Sequence, residues 1–308
     1  MRTVETVTGP VAVDELGITM VHEHLIIDMY EPSLNALGVL LDERAAAEEL
    51  ALFGVAGGGT VIDQTTIGLN PDFEALRRIS IASGVRIVAG TGVYWRRFRP
   101  AWVETMTEAE LADLFIRELT EGRGPDHIRA GIIGEIATGH RDIDDVEARG
   151  FRAAAAAQRA TGAPIAAHAL FTRIGLDQLD ILEGAGADPG AILVGHGDTC
   201  PDETYHLAVL QRGAWLGFDT VGQLDKATDD WRADRIAALA ELGHLGRILV
   251  SSDVAKRPAL LRNGGGGYAH VLTDLIPRLR ARGFGDAEIR ELLVENPRRL
   301  FEAAPQPS

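Results

Sequence analysis

The chain has 308 residues, 46% of them hydrophobic, and a mean hydropathy of +0.03, a globular composition that excludes wholesale disorder. Forty-five acidic against 30 basic residues leave a net charge of −15, so the surface is a poor counter-ion for nucleic acid or anionic lipid, and neither is expected as a partner. A single cysteine cannot form an internal disulfide, the N-terminus lacks a signal-peptide core, and no run approaches the ~18 apolar residues of a membrane span; a soluble cytoplasmic protein is expected.

In chain order, 3–19 reads as a small polar hairpin. Eight near-continuous apolar runs follow, at 20–28, 60–65, 86–94, 130–138, 164–169, 191–198, 215–220 and 248–253. Such runs suit parallel strands buried on both faces. Between them lie stretches with helical spacing, including 42–53, 107–120, 144–161, 173–183, 202–211 and 229–242. Several open on an acidic or hydroxyl residue, and glycine often closes them. Residues 278–301 read as a helical tail, with Gly285-Asp286 opening its last helix.

Eight strand–helix units predict a (β/α)8 TIM barrel, with a short N-terminal hairpin and a C-terminal helical tail, as a single domain over 1–308. Polar residues fall near the strand ends: His24, Gln64, Tyr94, Glu135, His168, His196, Asp219 and Asp253. Their spacing averages roughly 33 residues, the length of a βα unit. The triple glycine at 57–59 precedes a strand, so it is not a dinucleotide-binding turn.

Of nine histidines, His127, His140, His206, His244 and His270 lie in polar or helical contexts and read as solvated or locally hydrogen-bonded. The other four lie in or at the ends of strands. His22 and His24 form an H-x-H within VHEHL, and residues i and i+2 of a strand share a face. His168 and His196 end the fifth and sixth runs, Asp253 ends the eighth, and Glu135 is the one charge in GIIGEI. A buried carboxylate must be paired or metal-bound. Four imidazoles and two carboxylates at barrel strand ends suit divalent Zn2+, Mn2+, Co2+ or Fe2+, and six ligands fit two ions sharing a carboxylate.

At these residues the sequence resembles the phosphotriesterase family of the amidohydrolase superfamily, in particular its phosphotriesterase homology and phosphotriesterase-related branch. The matching segments are VHEHL, GTGVYW, AGIIGEIATG, PIAAHA, VGHGD, GFDTVG and SSDVAKR, and NGGGGY and ENPRRLF match in kind. The resemblance spans nearly the whole chain. It implies that His22, His24 and Asp253 hold a buried metal and that His168 and His196 hold a more exposed one. Paralogous members bridge the metals with a carboxylated lysine on the fourth strand. No lysine occurs in 131–139, so Glu135 would bridge instead, and organophosphate activity is not carried over. Nor is acyl-homoserine lactone hydrolysis, because 218–220 lacks the arginine those lactonases carry.

The expected activity is a binuclear-metal hydrolase, most simply with zinc, in which a metal-bound hydroxide attacks a small ester, lactone or amide and Asp253 moves the proton. Tyr94, Trp95, Phe171, Asp219, Lys256 and Arg257 are the candidate substrate-contacting residues, with Lys256-Arg257 suited to a carboxylate or phosphate. Phosphotriester or phosphodiester hydrolysis, or a mono-metal lyase or isomerase on the same barrel, are the alternatives. A non-enzymatic binding protein and a Cys200 nucleophile are weaker ones, and no G-x-S-x-G elbow supports a serine hydrolase. The partner is a small-molecule substrate, and homodimerisation is left open.

Overall fold

The computed structural model describes residues 2–303. The hairpin comes first, β1 (Thr3–Thr6) paired antiparallel with β2 (Gly9–Ala12). The first barrel strand is β3 (Thr19–Glu23). It is shorter than the apolar run suggests. The Leu25 N–H turns to Asp63 Oδ2 (2.7 Å), and the chain leaves the sheet to form a two-residue ladder between β4 (Ile27–Asp28) and β5 (Val39–Leu40). The other barrel strands are β6 (Thr60–Asp63), β7 (Arg86–Thr91), β8 (Ile132–Ala137), β9 (Ile165–His168), β10 (Ile192–Gly195), β11 (Trp215–Phe218) and β12 (Ile248–Val250). They form one eight-stranded sheet in the order β12-β11-β10-β9-β8-β7-β6-β3, each ladder parallel.

Closure between the first and last strands uses side chains as well as backbone. Asp253 N donates to His22 O (3.0 Å), and Ser251 Oγ accepts from His22 N (2.9 Å). The result is the TIM barrel that the strand–helix count predicts.

Val21, Ile62, Val88, Ile132, Ala166, Leu193, Trp215 and Leu249, one from each barrel strand, form a single buried cluster. Eight strands can meet that way only inside a barrel. Val4, Val13 and Leu16 from the N-terminal segment join the cluster and plug the end where the strands begin. The alternate strand positions, such as Met20, Val61, Ile87 and Ile192, pack outward in the larger core with the helices.

Helix starts follow the predicted chemistry. Asp42, Asp72, Thr107, Asp144, Asp202 and Thr228 each accept a backbone N–H of the first turn. In the tail, Asp286–Arg290 opens a helical stretch that runs on through Asn296–Ala303, with Gly285 as its cap. Among the described residues no helix is long and apolar enough to cross a membrane.

Candidate metal centre

The six ligand-type side chains meet at the C-terminal mouth of the barrel. Simple alternation from the inward-facing Val21 and Ile132 would turn His22 and Glu135 outward. Each strand instead shifts register at that point, between Met20 and Glu23 in β3 and between Ile133 and Ile136 in β8. The shifts bring both side chains inward. His196 (φ +58°) and Asp253 (φ +47°) follow their strands in the left-handed region, a conformation that costs a non-glycine residue about 1–2 kcal/mol.

Glu135 is the hub. Its Oε2 lies 2.7 Å from His168 Nδ1, 3.3 Å from His22 Nε2 and 3.6 Å from His196 Nε2. Its Oε1 lies 3.5 Å from His24 Nε2, which in turn is 3.3 Å from Asp253 Oδ1. All six residues are buried.

The imidazoles are held from behind. Asp219 spans two of them, its Oδ2 2.9 Å from His22 Nδ1 and its Oδ1 2.9 Å from His196 Nδ1. Thr65 Oγ1 sits 2.9 Å from His24 Nδ1, and Gln178 Nε2 donates to the His168 carbonyl (2.8 Å). A carboxylate only accepts, so Asp219 fixes both Nδ1 atoms as N–H and leaves each Nε2 lone pair facing the centre. Space for Asp219 comes from Gly195 and Gly217, where an added Cβ would lie 3.0 and 2.8 Å from its Oδ2. Asp219 is therefore a completely buried prop and not the substrate-facing residue expected from its strand-end position.

The electrostatics follow from this packing. Burial opposes ionisation of Glu135, but His168 and His22 outweigh it and hold the carboxyl well below the usual range. Burial likewise disfavours a charged His22, yet Glu135 and Asp219 raise its pKa well above the usual value, and Asp219 lifts His196 to about 9. His168 goes the other way, to about 4, because its burial exceeds the pull of Glu135. Burial disfavours the Asp253 carboxylate, but Lys226 and His24 keep it strongly acidic.

This donor set fits divalent metal. His22 Nε2 is buried without a hydrogen-bond partner, although its other nitrogen is firmly held. His196 Nε2 and His168 Nδ1 stand 2.8 Å apart with Glu135 Oε2 between their rings and that of His22. Two groups of three ligand atoms, His22–His24–Glu135 and Glu135–His168–His196, each lie close enough together for one ion, and they share Glu135.

Above the centre opens a pocket of about 470 Å³. Tyr94 and Phe171 line it, with Met29, Leu69, Leu170 and Leu224 completing an apolar wall. Lys226 and Lys256 line it as well. Trp95 lies outside this lining, its ring 5.0 Å from His140, and Arg257 turns away to donate to Val39 O (2.9 Å). Burial pushes the Cys200 thiol up, away from the reactive thiolate.

The phosphotriesterase family model matches residues 2–301. The chain belongs to the phosphotriesterase family. It is 35% identical to the phosphotriesterase homology protein of Escherichia coli over 94% of this chain and 99% of that one. It is also 30% identical to human N-acetyltaurine hydrolase over 96% of each. Among solved structures it resembles a lactonase from Listeria monocytogenes, with a TM-score of 0.93 and 25% identity over 97% of this chain and 99% of that one. Like its relatives, this phosphotriesterase-family chain is a metal-dependent hydrolase, with His, Glu and Asp groups able to hold metal.

Three residues that the sequence reading did not single out complete this phosphotriesterase-family site. Glu23, between the two histidines of the H-x-H, accepts from Ser251 Oγ, Ser252 N and Val254 N (2.8–2.9 Å) and so fixes the turn that carries Asp253. Gln223 Nε2 and Lys226 Nζ approach Asp253 Oδ2 at 3.2 and 3.3 Å. Asp219, expected among the substrate contacts, serves instead as the prop beneath His22 and His196. A signal for Lys226 existed: the chain has two lysines among its 30 basic residues, Lys226 and Lys256, and both line this pocket.

Proposed function

We propose that the chain is a two-metal hydrolase that cleaves an ester, lactone or amide bond in a small substrate bearing an anionic group. The observation that carries this reading is the position of Glu135, one buried carboxylate whose two oxygens reach four imidazoles. His22, His24 and Asp253 would hold one ion, His168 and His196 the other, and Glu135 both. Bound divalent cations, zinc being the simplest choice for imidazole and carboxylate donors, would supply a water ionised near pH ~7 and polarise the scissile carbonyl.

The chain's own residues do the rest. Asp253, held ionised, accepts the proton of the attacking water and returns it to the leaving group. Lys226 and Lys256 hold the anionic end of the substrate. Tyr94, Phe171 and the apolar wall take the uncharged end and exclude bulk water. N-acylated amino acids and amino sulfonates suit a lining of two lysines and apolar side chains, in keeping with the N-acetyltaurine hydrolases among the relatives. Phosphoester hydrolysis is the second reading, favoured by the phosphate in the active site of the E. coli phosphotriesterase homology protein structure.

The test is metal content per chain, for the protein purified without chelator and for Glu135→Ala, followed by a screen of lactones, esters, N-acyl amino acids and phosphodiesters. About two ions, falling to one or fewer in the variant, is the expected result. No bound metal and no uptake of zinc, manganese or cobalt overturns the reading.

A further inference from the structure

Both pocket lysines sit on loops, and one side chain outside the pocket touches the supports of both. Lys226 belongs to the loop 220–228 after β11, and Lys256 to the segment 254–268 after β12. His270 lies between them, 20% exposed. A Cβ on Gly222 would come within 2.8 Å of its Cδ2, and a Cβ on Gly266 within 2.1 Å of its Nδ1. The ring is thus wedged against one glycine from each loop, and neither position has room for a larger residue.

The wedge is also bonded. His270 Nε2 lies 2.9 Å from Asp229 Oδ2. The other Asp229 oxygen accepts from Gly222 N (3.0 Å) and Arg232 Nη1 (2.7 Å). Arg232 is completely buried, and its Nη1 and Nη2 also bond the same loop: Ala227 O (2.7 Å), Thr220 Oγ1 (2.9 Å) and Gln223 O (3.3 Å). Its Nε reaches Asp198 Oδ2 (2.6 Å), which also accepts from Thr220 Oγ1. On the other side, Gly267 N donates to Ala259 O (2.8 Å) and Gly265 N to Leu260 O (3.0 Å), tying the glycine run to the stretch beside Lys256.

Asp229, His270 and Asp274 have metal-ligand spacing, but arginines already occupy both carboxylates, Arg232 on Asp229 and Arg278 on Asp274 (2.6 Å). The cluster acts as a latch and not as a cation site. We infer that His270 is a positioning residue that sets the distance between the two lysine-bearing loops, and through it the grip on the anionic end of the substrate. The second half of this inference rests on the function proposed above; the first half does not.

The experiment compares full-length wild type, His270→Ala and His270→Gln, whose amide nitrogen can still donate to Asp229. Hydrogen exchange reads the loops, and calorimetric titration with inorganic phosphate reads the anion site, with Lys226→Ala as its control. His270→Ala should speed exchange in both 220–228 and 256–267 and weaken phosphate about tenfold, the scale of one charge-assisted hydrogen bond, while His270→Gln restores both. Faster exchange in only one loop, or in neither, overturns the latch. Coupled exchange with phosphate affinity unmoved by Lys226→Ala supports the latch and overturns the anionic-substrate reading.

Discussion

Lys226 Nζ stands 3.3 Å from Asp253 Oδ2 at the mouth of the barrel, with its side chain only 10% exposed. The lysine is the largest charge holding Asp253 strongly acidic against its burial. Lys226→Ala should therefore lower kcat for anionic and neutral substrates alike, because it unsettles the carboxylate that moves the proton. The same change should raise KM for an anionic substrate about tenfold and leave KM for a neutral ester nearly unchanged. An unchanged kcat would show that Lys226 does not act on Asp253.

Asp219→Asn keeps the shape beneath His22 and His196 but replaces one accepting oxygen by an amide. One of the two Nδ1–H groups then faces a donor, and its imidazole must turn or change tautomer. Metal affinity should fall about 10- to 100-fold, with one ion lost on dialysis. Far-UV circular dichroism should change little, because the side chain holds two imidazoles and the single backbone N–H of His196, and no strand ladder. Retention of both ions after dialysis would remove Asp219 from the account.

The barrel was legible in the sequence because buried parallel strands read as apolar runs and their functional ends carry the polar residues. His22, His24, Glu135, His168, His196 and Asp253 stood out because each is a ligand or charge in an apolar context. Asp219 looked the same in the sequence, yet it points beneath the centre. Its contacts depend on β3 and β10 lying on either side of it in space, which no spacing along the chain encodes. The register shifts in β3 and β8 were equally hidden, although without them His22 and Glu135 would face the helices. Glu23 carried the same signal as Glu135, a charge in an apolar strand. Its three partners, at 251–254, lie 228–231 residues away along the chain, so its role is set by the closure of the barrel.

Glu23→Gln tests the turn that carries Asp253. The carboxylate accepts three donors, two on Oε1 and one on Oε2. An amide sets its own N–H groups against at least one of them in a fully buried site. The variant should lose about 2 kcal/mol in urea unfolding, the cost of an unsatisfied buried donor. It should also lower kcat more than it raises KM, since it disturbs Asp253 and not the lysines. An unchanged urea midpoint would mean that the backbone of 251–254 holds itself.

The sign of the pH dependence separates metal-free from metal-loaded protein. In the fold His196 is lifted to about 9 and His22 well above its ordinary 6.5, so both favour the protonated form relative to the unfolded chain. Glu23 is raised by burial from 4.5 to about 7, so it too binds its proton more tightly when folded. Groups raised on folding contribute stability that is present below their unfolded values and lost as pH rises through the folded ones. His168, lowered to about 4, is neutral in both states above pH ~7 and drops out. Metal-free protein should therefore lose several degrees of Tm between pH ~6.5 and ~9. Metal requires the imidazoles deprotonated, so its affinity rises over the same range and the loaded protein should hold or gain Tm. Scanning calorimetry of chelated and zinc-loaded samples at three pH values decides the matter. A chelated sample that grows more stable toward pH 9 would contradict the raised histidines.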